Sequence, residues 1–155
     1  IELINNNIPR LQLQDSVGKA LQLINDFRVT HLTVVADSKY LGMVSEEDLL
    51  DVEEEKMPIE LMQEAFTNPS VFENEHFLNA VNCSNQFDTT VVPVISQAKD
   101  FLGVITTSDL LKALGNFAGT NEIGGIIILE MSVSAFCLEV PEIRRLKKNI
   151  AMRLF

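Results

Sequence analysis

The sequence has few cysteines and no long apolar run. Cys83 and Cys137 form no spaced motif, so neither a disulfide framework nor a zinc ribbon is indicated, and we expect two buried free thiols. Apolar runs such as residues 126–129 are far too short to cross a membrane, and the first residues do not form a basic-then-apolar leader. We therefore expect a soluble, cytoplasmic protein.

Basic residues are also scarce. Twelve Lys and Arg face 22 Asp and Glu, giving a formal net charge of −10. Binding to a nucleic-acid backbone or to anionic lipid depends on Lys and Arg, so neither nucleic acid nor a membrane is an expected partner. Five of the basic residues lie after residue 131. This basic tail could dock on the acidic body of its own or another chain, or it could be a solvated helix face.

A catalytic constellation is missing as well. The two histidines, His31 and His76, belong to no nucleophile or metal motif. His76 and Cys83 are seven positions apart and could share a helix face, but two ligands do not make a secure metal site. His31, beside a predicted strand, is more typical of a partly buried structural histidine. We expect no enzymatic activity, no metal and no cofactor.

The chain does contain an internal repeat. The offset between the copies is 60 positions before a polar turn and 61 after it, and a hairpin turn is where one extra residue is tolerated. Two copies at this spacing indicate one structural unit used twice. The matches include Pro9 with Pro69, Ala20 with Ala80, Thr30 with Thr90, Val34 with Val94, and Asp48-Leu49-Leu50 with Asp109-Leu110-Leu111.

Each copy has the pattern of a helix, a strand, a turn, a strand and a second helix. Asp15 and Ser16 supply N-cap oxygens before apolar residues that recur every three or four positions. β-rich segments then alternate with polar turns. The predicted elements are a helix after Ser16, strands 32–35 and 40–44, a helix from Ser45, a helix over 77–87, strands 91–95 and 101–105, and a helix from Thr106.

The segment between the copies is predicted to be helical. Residues 51–56 should continue the helix that begins at Ser45, with the glutamates on a solvated face. Pro58 should start another helix whose apolar residues pack against the body; these are Ile59, Leu61, Met62 and Phe66. Within the second copy, Pro93 indicates an edge strand or the start of a strand.

A twin motif ends each copy. Ser45-x-x-Asp48 and Thr106-x-x-Asp109 both fit a helix-capping signature, which by itself requires no ligand. The same geometry favours anions at a helix start, and an aspartate one turn in can accept two hydrogen bonds from a ribose diol. The motif is therefore compatible with both a cap and a binding site.

These features resemble a tandem pair of CBS domains, the cystathionine β-synthase type, over roughly residues 5–115. "VVPVI" and "FLGVITTSDLL" match that family closely, whereas "HLTVV" has Thr33 where the second copy has Pro93. The resemblance implies an α/β (α+β) fold of two β-α-β-β-α units about a pseudo-twofold axis, often dimerising. It also implies clefts that bind adenosine-containing ligands such as AMP, ATP or S-adenosylmethionine.

The resemblance also implies binding residues. The ligand-binding residues are expected to be Thr106, Thr107, Ser108, Asp109, Ser45 and Asp48. Because Glu46 and Glu47 replace Thr107 and Ser108 in the first copy, the second motif is expected to be the better site. Few basic residues are available to neutralise a bound phosphate, so a triphosphate would be poorly neutralised without a metal. The candidate cations are Lys99, Lys112, Arg10, Arg28 and Lys39.

The last segment has a different character. Residues 121–125 break the chain before a short apolar strand, a helix is expected from Pro141, and another strand is expected over residues 151–155, giving a strand-helix-strand tail. This pattern resembles the beginning of an ACT domain, and its open strand edges could pair in a homodimer. The expected domains are residues 1–58, 59–118 and 119–155. The leading functional hypothesis is a regulatory sensor of an adenosyl ligand, and the alternative is a ligand-independent dimerisation and assembly module.

Overall fold

The computed structural model describes residues 3–117. Up to Leu111 they belong to one compact unit that holds both repeats. The mixed α/β class and the order of elements are as predicted. The elements are α1 (Val17–Phe27), β1 (His31–Ala36), β2 (Lys39–Ser45), α2 (Glu46–Leu50), a 3-10 helix (Ile59–Ala65), β3 (Val71–Phe72), α3 (Phe77–Phe87), β4 (Val91–Ile95), β5 (Phe101–Thr106) and α4 (Thr107–Phe117).

The predicted ACT-like segment, residues 119–155, lies outside the described residues, as does Cys137. The boundaries after residues 58 and 118 remain predictions. Among residues 3–117, none of the helices combines the length and the apolar character that a membrane span requires.

Helix α1 begins and ends as its sequence predicts. The hydroxyl of Ser16 accepts a hydrogen bond from the Lys19 amide at 3.2 Å, which satisfies one of the unpaired donors of the first turn. The apolar stripe, including Val17, Ala20 and Ile24, is buried. The helix ends at Arg28, whose left-handed backbone (φ 52°) turns the chain toward β1.

Each repeat is built on an antiparallel strand pair. In the first, β1 pairs with β2 so that His31 lies opposite Ser45. In the second, β4 pairs with β5 so that Val91 lies opposite Thr106, and β3 adds a short parallel neighbour. Leu11 forms the corresponding parallel bridge in the first repeat. The two sheets are therefore copies of each other in register as well as in sequence.

The segment that leads into each repeat pairs with the sheet of the other repeat. Asn5 exchanges backbone hydrogen bonds of 2.7 and 3.1 Å with Val104 of β5. Thr67 exchanges bonds of 2.8 and 3.1 Å with Met43 of β2. We call residues 3–7 and 66–68 the crossing segments. Because each one ties one repeat to the other, the two copies cannot separate without breaking these backbone hydrogen bonds.

The repeats also meet through a reciprocal threonine pair. The Thr30 amide donates to the Thr90 hydroxyl oxygen at 3.0 Å, and the Thr90 amide donates to the Thr30 hydroxyl oxygen at 3.2 Å. At the opposite ends of the sheets, the turns before β2 and β5 are joined by an antiparallel bridge between Lys39 and Asp100. Reciprocal contacts between equivalent residues indicate the predicted pseudo-twofold relation.

The threonine pair gives a direct test of this relation. Thr30→Val and Thr90→Val should each lower the free energy of unfolding by about 1–2 kcal/mol, because each leaves a sheltered amide without its acceptor. The double variant should lose less than the sum of the single losses, since both bonds belong to one junction. Urea denaturation measures all three values. Thr67→Val, at an exposed side chain, is the control; fully additive losses at Thr30 and Thr90 would contradict the pairing.

The core is shared between the copies. Val91 and Val104 of the second repeat pack in the same buried cluster as Leu32 and Val34 of the first. A second cluster lies within the second repeat and includes Val92 and Ile105. Alternate residues of β4 thus face different clusters, as the pleat of a strand requires. One side of that strand packs against its own repeat and the other against its neighbour.

The predicted helical continuation over residues 51–56 is wrong. α2 ends at Leu50, and the chain then turns back so that carbonyls of Glu55 and Met57 accept hydrogen bonds from the Gly18 and Val17 amides. Those amides are unpaired donors of the first turn of α1, so the segment satisfies a helix start rather than extending a helix.

The prediction after Pro58 is partly confirmed. Pro58 precedes a 3-10 helix, in which Ile59 and Met62 are buried as expected. Leu61 is 70% exposed and does not pack against the body. In a 3-10 helix the side chains three positions apart share a face, so Ile59 and Met62 point inward together while Leu61 does not.

The interpretation of Pro93 was also wrong. Pro93 is the third residue of β4, which lies between β3 and β5 and is not an edge strand. β3 pairs only with Val94 and Ile95, so that neighbour does not extend to the position where proline lacks an N–H. A central strand can hold a proline here because the adjacent strand is only two residues long.

Candidate functional site

The second twin motif forms a reciprocal cap at the junction of β5 and α4. The Asp109 amide donates to the Thr106 hydroxyl oxygen at 3.1 Å, and the Thr106 hydroxyl donates to the Asp109 carboxylate at 2.6 Å. Both side chains are half-buried. The threonine thus fixes the orientation of the carboxylate, and the predicted capping role is confirmed.

The first twin motif repeats this geometry. The Asp48 amide donates to the Ser45 hydroxyl oxygen at 3.0 Å, and the Ser45 hydroxyl donates to the Asp48 carboxylate at 2.5 Å. The helix that follows is shorter, with five residues in α2 against 11 in α4. The local sequence therefore determines both caps. The two motifs differ in the length of the helix that follows.

The two motifs lie at the same junction between the repeats. The Glu46 amide donates to the Thr30 carbonyl at 2.9 Å, and the Thr107 amide donates to the Thr90 carbonyl at 3.0 Å. Since Thr30 and Thr90 are bound to each other, both helix starts are tied to one point near the pseudo-twofold axis. We call this region the junction end, in contrast to the hairpin end, where Lys39 meets Asp100.

A crossing segment completes the surroundings of the second motif. The Asn5 side-chain amide lies 3.5 Å from the Asp109 carboxylate, a weak contact. Leu3 and Ile4 are half-buried against the second core cluster. Sequence reasoning missed this segment because its pairing is non-local. The available signal was Gly103, which the close approach of residues 4–6 requires.

A histidine stands beside the first motif. His31 is the cross-strand partner of Ser45, and its Nδ1 is 2.9 Å from the Thr30 hydroxyl. Burial lowers the pKa of His31, while the negative charges of Asp48 and Asp88 partly oppose that shift. The imidazole is therefore mainly neutral near pH 7. The second repeat has Val91 at this position, so the two sites differ in chemistry.

The two sites also differ in charge. Thr107 and Ser108 are exposed in the first turn of α4, where α2 has the exposed carboxylates of Glu46 and Glu47. The two residues that follow the hydroxyl are thus uncharged in the second motif and acidic in the first, and they occupy equivalent positions in the two helices. The structure groups Ser45 with Asp48 and Thr106 with Asp109.

Three of the five candidate cations lie at the hairpin end of the sheets, away from both motifs. Lys39 donates to the Asp100 carboxylate at 2.6 Å and to the Ala98 carbonyl at 2.9 Å. Lys39 begins the strand that Ser45 ends, so about 20 Å of extended chain separates them. The Arg10 guanidinium lies 6.0 Å from the ring centroid of Phe101, also near the hairpin end.

The other candidates are distributed differently. Lys99 occupies the turn before β5, again at the hairpin end, with a left-handed backbone. Arg28 lies two positions before Thr30 and so is close in sequence to the junction end. The expectation that Lys39, Lys99 or Arg10 would neutralise a phosphate at either motif is therefore wrong. Across residues 3–117, there is also no cluster of three or more His, Cys, Asp or Glu that could hold a metal.

Cys83 is a free thiol, as predicted, and half-buried on α3. Burial raises the pKa of Cys83, with a smaller opposing effect from a backbone hydrogen bond. The neutral thiol is therefore favoured at physiological pH, which does not suit a nucleophile.

Comparison with known proteins identifies this architecture. Residues 1–55 match the family model of the CBS domain. The fold is similar to that of a CBS domain pair/ACT domain protein from Thermotoga maritima, with a TM-score of 0.67 and 18% identity over 75% of this chain and 95% of that one. The structure is thus that of a CBS domain pair, and the resemblance found in the sequence is confirmed.

Two further solved structures share the fold and hold nucleotides. CBSX2 in complex with AMP matches with a TM-score of 0.62 and 20% identity, over 75% of this chain and 95% of that one. The cytosolic domain of the Mg²⁺ channel MgtE in complex with ATP matches with a TM-score of 0.57 and 17% identity, over 72% of this chain and 46% of that one.

Proposed function

We propose that this chain is a regulatory module that binds an adenosine-containing ligand, of the AMP, ATP or S-adenosylmethionine type, between its two CBS repeats. The observation that carries the proposal is the Asp109 carboxylate, which Thr106 orients at the junction end and which Asn5 approaches from a crossing segment. The similar folds that hold AMP and ATP support the ligand class.

The second motif suits such a ligand chemically. Ribose hydroxyls are donors and the Asp109 carboxylate is an acceptor, and such a charge-assisted bond contributes about 1.5–3 kcal/mol when sheltered. The first turn of α4 offers backbone amides and the uncharged Thr107 and Ser108, so a phosphate would meet no carboxylate of the kind that Glu46 and Glu47 supply in the first repeat. We therefore assign the principal site to the second motif.

The distribution of cations favours ligands with little negative charge. Lys39 is already held by Asp100, and Lys99 lies with it at the hairpin end. A triphosphate at the junction end would consequently gain little compensation from these side chains. Adenosine, AMP and the cationic S-adenosylmethionine are expected to bind more tightly than ATP when no divalent cation is present.

The way in which ligand binding would regulate follows from the same contacts. A ligand at the second motif would touch Asp109 of one repeat and the crossing segment 3–7 that leads into the other. Its binding energy would thus depend on how the repeats are arranged around the Thr30 and Thr90 pair, and by linkage it would favour one arrangement.

Calorimetric titration with AMP, ADP, ATP and S-adenosylmethionine tests the proposal. At least one ligand should bind with one dominant site per chain, and AMP or S-adenosylmethionine should exceed ATP in magnesium-free buffer. If no ligand of this panel gives heat or a thermal shift at millimolar concentration, the sensor proposal fails.

An exposed leucine pair supports a second candidate function, ligand-independent dimerisation. Leu50 and Leu111 occupy equivalent positions of the two repeats and are 66% and 72% exposed. Equivalent apolar side chains on a pseudo-symmetric body suit a symmetric homodimer. Leu50→Glu combined with Leu111→Glu should shift a dimer to monomer in sedimentation without changing the free energy of unfolding by more than about 1 kcal/mol. A wild-type monomer at all concentrations would remove this candidate.

A further inference from the structure

A buried hydroxyl without a partner lies on β1. The Thr33 residue is 1% exposed, and its hydroxyl has no hydrogen-bond partner within residues 3–117. Buried hydroxyls nearly always bind protein, water or ligand, and one that does not has lost its hydration without compensation. Thr33 therefore destabilises the arrangement of the chain in which it is buried.

Thr33 lies on the face of β1 that is turned toward the second repeat. Its equivalent on β4 is Pro93, which shares a strand face with Val91 because side chains alternate. Val91 packs in the cluster that includes the first repeat, whereas Val92 and Val94 pack in the cluster of their own repeat. The pseudo-twofold relation gives the corresponding face of β1 the same direction, and β1 also contacts β4. Thr33 is thus buried between the repeats.

The cross-strand neighbour of Thr33 is a poor hydrogen-bond partner. This neighbour is the fully buried Met43, and the side chains of cross-strand pairs lie side by side. A thioether sulfur is only a weak acceptor. In the second repeat the equivalent pair is Pro93 and Val104, which carry no polar side-chain atom. The first repeat therefore places a hydroxyl where the second repeat keeps the layer apolar.

The other buried polar side chains in the described part of the chain are satisfied. The Ser84 hydroxyl donates to the Thr89 carbonyl at 2.6 Å, and the Thr89 hydroxyl donates to the Val91 carbonyl at 2.8 Å. Thr89 is 3% exposed, so it matches Thr33 in residue type and burial. The two threonines differ in whether the hydroxyl is bound, which makes Thr89 a matched control.

We propose that Thr33 is a release point between the repeats. Its unpaired hydroxyl raises the free energy of the packed arrangement relative to one in which β1 and β4 part far enough to hydrate it. The free-energy difference between the two arrangements is thereby reduced, so the repeats rearrange more readily. The device acts in the free chain, and it rests on the proposed function only where an adenosyl ligand selects one of the arrangements.

Thermal unfolding of two valine variants tests the sign of this effect. Thr33→Val removes the hydroxyl and keeps the shape, so we expect a melting temperature about 2–5 °C above that of the wild type. Thr89→Val breaks the bond to Val91 and should lower the melting temperature. A buried water bound to Thr33 would make Thr33→Val lower it as well, and that result would overturn the inference.

Amide hydrogen exchange tests whether the repeats part. The backbone bonds between Met43 of β2 and Thr67 of a crossing segment must open when the repeats separate. In Thr33→Val these two amides should exchange about three- to tenfold more slowly than in the wild type. The Val29 amide, which binds the Ile24 carbonyl within the first repeat, is the reference and should slow less. Equal slowing at all three amides would assign the gain to the whole fold and overturn the release point.

Ligand titration separates this inference from the proposed function. AMP should change the exchange of the Met43 and Thr67 amides in the wild type, and change it less in Thr33→Val. If none of AMP, ADP, ATP and S-adenosylmethionine binds, while Thr33→Val still melts higher and exchanges more slowly at these amides, the inference stands and the proposed function fails. If AMP binds and Thr33→Val matches the wild type in melting and exchange, the proposed function stands and the inference is overturned.

Discussion

Substitution of Asp109 by alanine is expected to weaken AMP or S-adenosylmethionine binding by about 10- to 100-fold. One sheltered charge-assisted hydrogen bond contributes about 1.5–3 kcal/mol, and each 1.4 kcal/mol is a factor of ten in affinity. The substitution also removes the acceptor of the Thr106 hydroxyl, which Asp109 binds at 2.6 Å. Calorimetry at pH 7.5 measures the loss, and unfolding in urea shows whether the variant is folded.

The first repeat provides the matched control for this experiment. Asp48→Ala removes an equivalent capping carboxylate, and at pH 7.5 it should change the affinity of the principal site less than threefold. Asp109→Asn keeps the shape of the side chain and loses its charge, so it should fall between wild type and Asp109→Ala. Equal binding by wild type and Asp109→Ala, with both proteins folded, would show that the ligand is held elsewhere.

The second large effect is expected at the glycines that face the crossing segments. Gly42→Ala should lower the free energy of unfolding by at least about 2 kcal/mol, because the backbone at φ +152° is one that side chains strain to adopt. Its Cβ would also lie 2.9 Å from the Thr67 carbonyl oxygen, a backbone atom that pairs with β2 and cannot move alone. Thermal and urea unfolding measure this loss.

Two other glycines calibrate this expectation. Gly103→Ala meets a similar backbone strain, at φ +146°, but should cost less than Gly42→Ala, since the atoms nearest to its Cβ belong to side chains. These are Ile4 Cγ2 at 2.5 Å and Asn6 Oδ1 at 2.6 Å, whereas the Asn5 carbonyl oxygen is 3.2 Å away. It should in addition weaken ligand binding, because it displaces the crossing segment beside Asp109. Gly18→Ala, in α1 with a nearest contact of 3.3 Å, should change stability by less than about 1 kcal/mol. If Gly42→Ala is as stable as Gly18→Ala, the close approach of the crossing segment is wrong.

Much of the fold could be predicted from local pattern. Helix α1 and both strand pairs follow from apolar periodicity and polar turns, and the one-residue insertion falls in the hairpin turns as expected. The errors share a cause. The backbone of residues 55–57 caps α1, and a two-residue neighbour lets Pro93 stand in a central strand. Both depend on what lies across the fold, which single-segment periodicity does not report.

In the candidate site, too, the local features were predictable and the non-local ones were not. The two caps were predictable because a hydroxyl and an acid three positions apart are a local signature. The role of Asn5 was not, since residues 3–7 pair with a strand about 100 positions later. The position of His31 beside Ser45 was not predictable either. The register at the turn, where Ala36 pairs with Lys39, would place His31 opposite Val44, and a register shift between Val34 and Val35 moves its partner to Ser45.

A crystal structure of the chain grown with AMP would test the central claim most directly. We expect the ribose hydroxyls within hydrogen-bond distance of the Asp109 carboxylate, and the ligand in contact with the crossing segment 3–7. A ligand bound away from the junction end would contradict it. A structure in which Thr30 and Thr90 are not paired, so that the starts of α2 and α4 lie apart, would contradict it as well.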